Sequence, residues 1–153
     1  MPEIYDIVNL KGIDLVNNIR ADIGSHGQNA TQQTSQSLRF EIVESGSKVS
    51  FKLFGRAYFM TVYTGRKPTP DKKPSREMIQ NISQWVGARG INESAIWAIA
   101  KDIQLKGTQL WRDGGRLDDY EAIIDTFIND VSTSILDAEA DNFILKVKDG
   151  FSS

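Results

Sequence analysis

The sequence predicts an α+β fold: a small antiparallel sheet built on a β-hairpin, packed with about four helices including a long acidic C-terminal one. Between Leu38 and Leu53, apolar residues recur with a period of two around the turn signal Ser45-Gly46-Ser47. Elsewhere they recur every three or four residues, between glycine, proline and asparagine stops. Strand and helix signals therefore occupy separate stretches, which is the α+β order. At 153 residues, a single domain spanning 1–153 is expected.

The first helix is predicted over about Lys11 to Ile23, where Ile13, Val16, Ile19 and Ile23 share one face and Gly24 offers a cap. Ser25 to Ser37 is polar and nearly uncharged, and reads as a mobile loop. Leu38, Phe40 and Ile42, then Val49, Phe51 and Leu53, alternate with polar neighbours and form the hairpin. Arg56 to Thr64 is apolar and aromatic. Its length suits either a third strand or a short buried helix.

Pro68, Pro70 and Pro74 prevent regular structure until Ser75, which starts a helix with Met78, Ile79, Ile82, Trp85 and Val86 in one stripe. Asn92 caps the next, which carries Ile96, Trp97, Ala100 and Ile103 and stops at Gly107. Trp85 and Trp97, on these stripes, are expected in the core. Trp111, in a connector with Gly114 and Gly115, is expected partly exposed. From Leu117 a helix of roughly 22 residues, about 33 Å long, carries Tyr120, Ile123, Ile124, Phe127, Val131 and Ile135. Phe143, Leu145 and Val147 then alternate as a terminal strand able to rejoin the hairpin.

Composition removes several classes of chemistry. With no cysteine, disulfides and thiolate metal sites are excluded, and a reducing compartment suits the chain. No apolar run approaches a membrane span, and Met1-Pro2-Glu3 begins no signal peptide, so a soluble product made in the cytoplasm is expected. The only histidine, His26, falls in the polar stretch with no acid beside it in sequence, and reads as a solvated imidazole. Phosphate-binding glycine motifs are missing. Asp118 and Asp119 point about 100° apart on a helix; they suit a helix N-terminus better than a magnesium site. No catalytic residue, cofactor or metal ligand is predicted, and the chain is expected to act by contact and not as an enzyme.

Charge is distributed unevenly behind a net of −2. Arg66, Lys67, Lys72, Lys73 and Arg76 oppose a single Asp71 between Gly65 and Arg76. Asp118, Asp119, Glu121, Asp125, Asp130, Asp137, Glu139 and Asp141 lie between Leu117 and Asn142 with no lysine or arginine. The basic loop has three readings: a solvated loop, a protein contact or a DNA contact. The last lacks an interleaved aromatic for base stacking.

Several pieces follow one another in a recognisable order. Ser37-Leu38-Arg39 opens the hairpin; Ala57-Tyr58-Phe59-Met60-Thr61-Val62-Tyr63-Thr64-Gly65-Arg66-Lys67-Pro68 leads into the proline loop. Ile82-Ser83-Gln84-Trp85-Val86, Arg89-Gly90-Ile91, Ala98-Ile99-Ala100-Lys101-Asp102-Ile103 and Lys106-Gly107-Thr108 complete it. This set, covering roughly half the chain, resembles the head–tail connector and tail-completion (minor tail, neck) proteins of long-tailed double-stranded DNA bacteriophages. The chain departs from that family in the length of its acidic ending.

The resemblance implies a core of Tyr58, Phe59, Trp85, Ile99 and Ile103, abrupt turns at Gly65, Gly90 and Gly107, and an Arg66 bonded to backbone carbonyls. It also implies a virion structural protein. Such a protein forms a six- or twelve-fold homo-oligomeric ring at the neck, assembled in the host cytoplasm, joining the portal to adjacent connector or tail proteins. Double-stranded DNA would pass through the channel without sequence-specific contact, and no membrane is involved. Cyclic rings use heterologous contacts, and opposed charges suit them. The candidate interface residues are accordingly Arg66, Lys67, Lys72, Lys73, Arg76, Trp111, Asp118, Asp119, Glu121 and Asp125. A rival placement puts the acids along the channel, repelling DNA. The alternative function is a small nucleic-acid-binding module using loop 65–76.

Overall fold

The structure, a computed structural model, describes residues 3–27, 33–56 and 59–152, with side chains in the last helix described to Asp141. Helix α1 (Ile4–Ser25) begins about two turns before the apolar pattern suggested and buries Ile7, Val8, Gly12, Leu15, Val16, Ile19 and Ile23. These positions repeat every three or four residues, so they form one inward face. Ile13, expected on that face, is exposed. Its place is taken by Gly12, where a Cβ would lie 2.7 Å from the Phe51 ring and 3.0 Å from that of Phe40. Two aromatic rings thus rest on bare helix backbone. The helix passes Gly24 and stops at Ser25, with His26 at the cap and the left-handed turn at Gly27.

Residues 28–32 of the expected loop lie outside the described residues. The rest of it is ordered: α2 (Gln33–Gln36) is a helical turn, and Ser35 is buried. Arg20 of α1 donates from Nε to the Ser35 carbonyl at 2.9 Å and from Nη2 to that of Leu38 at 3.2 Å. An arginine fork from α1 therefore holds this turn, where composition alone suggested mobility.

Strands β1 (Arg39–Ser45) and β2 (Lys48–Phe54) pair antiparallel, with Phe40 opposite Leu53, Ile42 opposite Phe51 and Ser45 opposite Lys48. Gly46, at φ 61°, supplies the left-handed residue that a two-residue hairpin turn demands. Phe40 stacks on Phe51 (centroids 5.2 Å apart), which meets Phe127 of the last helix at 4.7 Å. The ambiguous segment resolves as a short buried helix, α3 (Thr61–Thr64), with Tyr63 fully buried. Tyr58 lies outside the described residues.

Helix α4 (Arg76–Arg89) starts where Ser75 Oγ accepts the Met78 amide, and Gly90 ends it in the left-handed region. A single 3₁₀ turn (Glu93–Ala95), capped by Asn92, leads into α5 (Ile96–Lys106), which Gly107 stops at φ 76°. Met78, Ile82, Val86 and Ala100 form their shared core. Trp85 and Trp97 are not in it: they are 38% and 66% exposed. Two helices packed at residues as small as Ala100 meet along a narrow seam. Both tryptophan side chains lie beside that seam and not within it.

A short helix α6 (Gln109–Arg112) occupies the expected connector, and α7 (Leu117–Ser152) follows. The terminal strand is absent, because α7 runs straight through Phe143, Leu145 and Val147. No glycine or proline stands between Gly115 and Gly150 to stop the helix, and alternation over five residues is too short to specify a strand. At 36 residues α7 is about 54 Å long. It packs on α1 and α3, closing a first core of Leu15, Val16, Ile19, Ile23, Leu38, Phe59 and Tyr63. The molecule therefore has two apolar cores, one around α1, the hairpin and α7, the other between α4 and α5. No helix among the described residues is long and apolar enough to cross a membrane.

Candidate functional site

The basic loop between α3 and α4 is fastened to α5 by one buried polar side chain. Gln104 follows Ala100 by four residues, so it faces inward, and it is almost fully buried. Its Oε1 accepts the Thr69 hydroxyl at 2.5 Å and the Arg66 guanidinium at 3.5 Å, while its Nε2 donates to the Lys72 carbonyl at 3.0 Å. Its own carbonyl accepts the Thr69 amide at 2.9 Å. A buried amide so occupied fixes the loop's path.

Arg66 consequently turns inward. Its guanidinium meets the Gln104 side chain, not the backbone carbonyls the resemblance implied, because Thr108 takes the main-chain role. Thr108 Oγ1 accepts the Arg66 amide at 3.0 Å, and the Thr108 amide donates to the Arg66 carbonyl at 3.0 Å. Lys67, Lys72, Lys73 and Arg76 remain exposed on the anchored loop. Trp111 lies beside it and is 43% exposed. A Cβ on Gly65 would meet Thr108 Oγ1 at 2.7 Å and the Trp111 amide closer still, which accounts for that glycine.

On the other core, Asp118, Glu121 and Asp125 project from α7 into solvent. Asp119 differs. It lies 3.5 Å from the guanidinium of Arg116, whose Nη1 also donates to Asp22 Oδ2 at 2.5 Å. Arg116 stands over the Tyr63 ring at 4.5 Å, and its amide donates to the Tyr63 carbonyl at 2.7 Å. One arginine thereby joins α1, α3 and the start of α7.

His26 reaches the same cluster, 3.5 Å from Asp22 and 3.8 Å from Asp119, and its Nδ1 is 2.9 Å from the Asp22 carbonyl oxygen. The expectation of an imidazole without acidic neighbours fails, since folding brings Asp119 to it across the end of α1. Ligand atoms of Asp22, His26 and Asp119 lie within 4.8 Å of one another. Arg116 already supplies positive charge to both carboxylates, so the cluster is best described as an interhelical latch. Burial first, and the Asp22 carboxylate second, push the Tyr63 phenol well above its ordinary range. Burial raises Tyr120 too.

No family model, curated protein or solved structure matches the chain. Its function must therefore be argued from its own surfaces. Two of those surfaces are strongly charged: four exposed cations of the loop beside the α4–α5 core, and the exposed acids of α7 from Asp118 to Asp141 beside the other core. Sequence reasoning passed over Gln104, Thr108 and Arg116. Gln104 left a signal, a polar residue in the inward register of an amphipathic helix. Arg116 left a weaker one, the last cation before the acidic stretch.

Proposed function

We propose that the chain is a structural subunit of a bacteriophage virion, forming a homo-oligomeric ring at the head–tail junction and acting by contact instead of catalysis. The observation that carries this reading is the lodging of opposite charges on different cores of one subunit. A subunit with two unlike faces suits heterologous contacts, which close into rings when the rotation permits. Complementary charge would set the register of such contacts and speed encounter. The ordered sequence signals from Ser37 to Thr108 point to the neck in particular.

The test is the native mass of the purified protein, alone and mixed with a portal ring, followed by electron microscopy of whatever assembles. Closed rings of six or twelve subunits are the expected outcome. A chain that stays monomeric and ignores the portal would end this reading. The three exposed lysines and one exposed arginine of the anchored loop also favour a nucleic-acid contact. A salt-dependent DNA shift abolished by Lys72→Ala/Lys73→Ala, in a protein that never assembles, would select that second function.

A further inference from the structure

We propose that an exposed stripe on α5 is a docking surface for α7 of a second copy of this chain. The inference rests on the assembly reading above and deepens it, by naming the two surfaces that meet. Helix α5 packs Ala100, Ile103 and Gln104 inward, yet a stripe beside that packed side is exposed and not polar. Trp97 is 66% exposed and Leu105 52% exposed, with Lys101 midway between them at helical spacing. Exposed leucines are ordinary singly, but tryptophan and leucine in line on one helix face are not. Tryptophan is also the side chain most enriched among residues that dominate binding energy.

The occupant is indicated by α7. Its side facing α1 and the hairpin carries Ile124, Phe127 and the other half-buried residues, but Ile128 and Leu136 lie outside that stripe, 51% and 69% exposed. Ile128 and Leu136 are eight residues apart, as are Trp97 and Leu105. Two helices laid side by side therefore bring both pairs into contact about 12 Å apart. Charge agrees with shape. The α7 stripe is bordered by exposed Glu121, Asp125, Asp137 and Glu139, while the α5 stripe carries exposed Lys101 and is bordered by exposed Lys106. Within one chain α7 packs mainly against α1 and α3, and α5 mainly against α4, and among the described residues both stripes stay exposed. The two surfaces differ, which makes the contact heterologous and compatible with a closed ring.

The experiment compares the full-length chain with Trp97→Glu and Leu136→Glu by sedimentation velocity, circular dichroism confirming that each variant is folded. The wild type should assemble, more weakly in high salt, and each variant should associate at least ~30-fold more weakly. Mixing the two variants should restore a one-to-one dimer, since each retains the surface the other has lost. Wild-type rings left intact in both variants would overturn the α5–α7 contact while leaving the ring itself standing. A mixture that stays monomeric would also overturn it. A wild type that is monomeric throughout, with the Trp97 face bound by a different protein, would overturn both the contact and the ring.

Discussion

At the scale of single residues, two side chains hold more of this structure than their place in the sequence suggests. Arg116 is nearly buried, with its guanidinium 2.5 Å from Asp22 and 4.5 Å from the Tyr63 ring. Removing it leaves a largely buried carboxylate without its cation. Arg116→Ala should therefore cost about 3 kcal/mol in urea denaturation. Asp22→Ala added to that background should cost less than it does alone, as expected of residues sharing one interaction. Tyr63 and Tyr120 set the alkaline limit. Both hold their protons above the ordinary value of 10.0, so the unfolded chain releases protons at a pH where the folded one does not. Stability should stay level below about pH 10 and fall above it, by up to about 1.4 kcal/mol per pH unit for each phenol. Tyr63→Phe should flatten that decline in denaturation curves measured across this range. An undiminished slope would show that the phenol ionises in the folded protein.

At the scale of elements, local patterning located most helices and both strands, because caps and turns are read from neighbours in sequence. Ser75, Asn92, Gly90 and Gly107 act where the pattern placed them. Helix α1 shows where that stops. Periodicity picked Ile13 for the inward face, whereas the hairpin selects Gly12, since only a residue without a side chain lets the Phe40 and Phe51 rings approach. Gly12→Val should thus destabilise the protein by about 2 kcal/mol despite replacing the poorest helix former but proline. A melting temperature equal to wild type would mean that the rings can move aside. The end of α7 was misread for a related reason. Alternation over Phe143 to Val147 fits a strand locally, but the uninterrupted helix N-terminal to it has no stop before Gly150.

At the scale of the whole molecule, two cores imply two units of stability. The α4–α5 core shares no buried residue with the core around α1 and α7. The ties between them include the Thr108 amide donating to the Arg66 carbonyl and the Arg89 guanidinium of α4 donating to the Gly27 carbonyl after α1. Hydrogen exchange should then resolve two cooperative groups of amides. Val86→Ala, which opens a cavity at a fully buried site, should speed exchange throughout α4 and α5 by an amount matching about 2 kcal/mol, and leave α1 protected. Uniform acceleration across the chain would mean that the cores unfold together. The same division places the cationic loop and the acidic helix on different units, where each is available to a neighbouring subunit.

The sequence by itself determined the α+β class, the hairpin, the helix caps at Ser75, Asn92, Gly90 and Gly107, and the two blocks of opposite charge. These follow from side-chain periodicity, from backbone preference and from counting charges, all of which are local. Tertiary structure alone decided which charges are spoken for and which apolar residues stay outside. Arg66 is engaged by Gln104 and Asp119 by Arg116 and His26, while Trp85 and Trp97 stay on the surface beside the α4–α5 core. Those outcomes depend on residues dozens of positions apart meeting in space, and periodicity within one segment carries no information about such meetings.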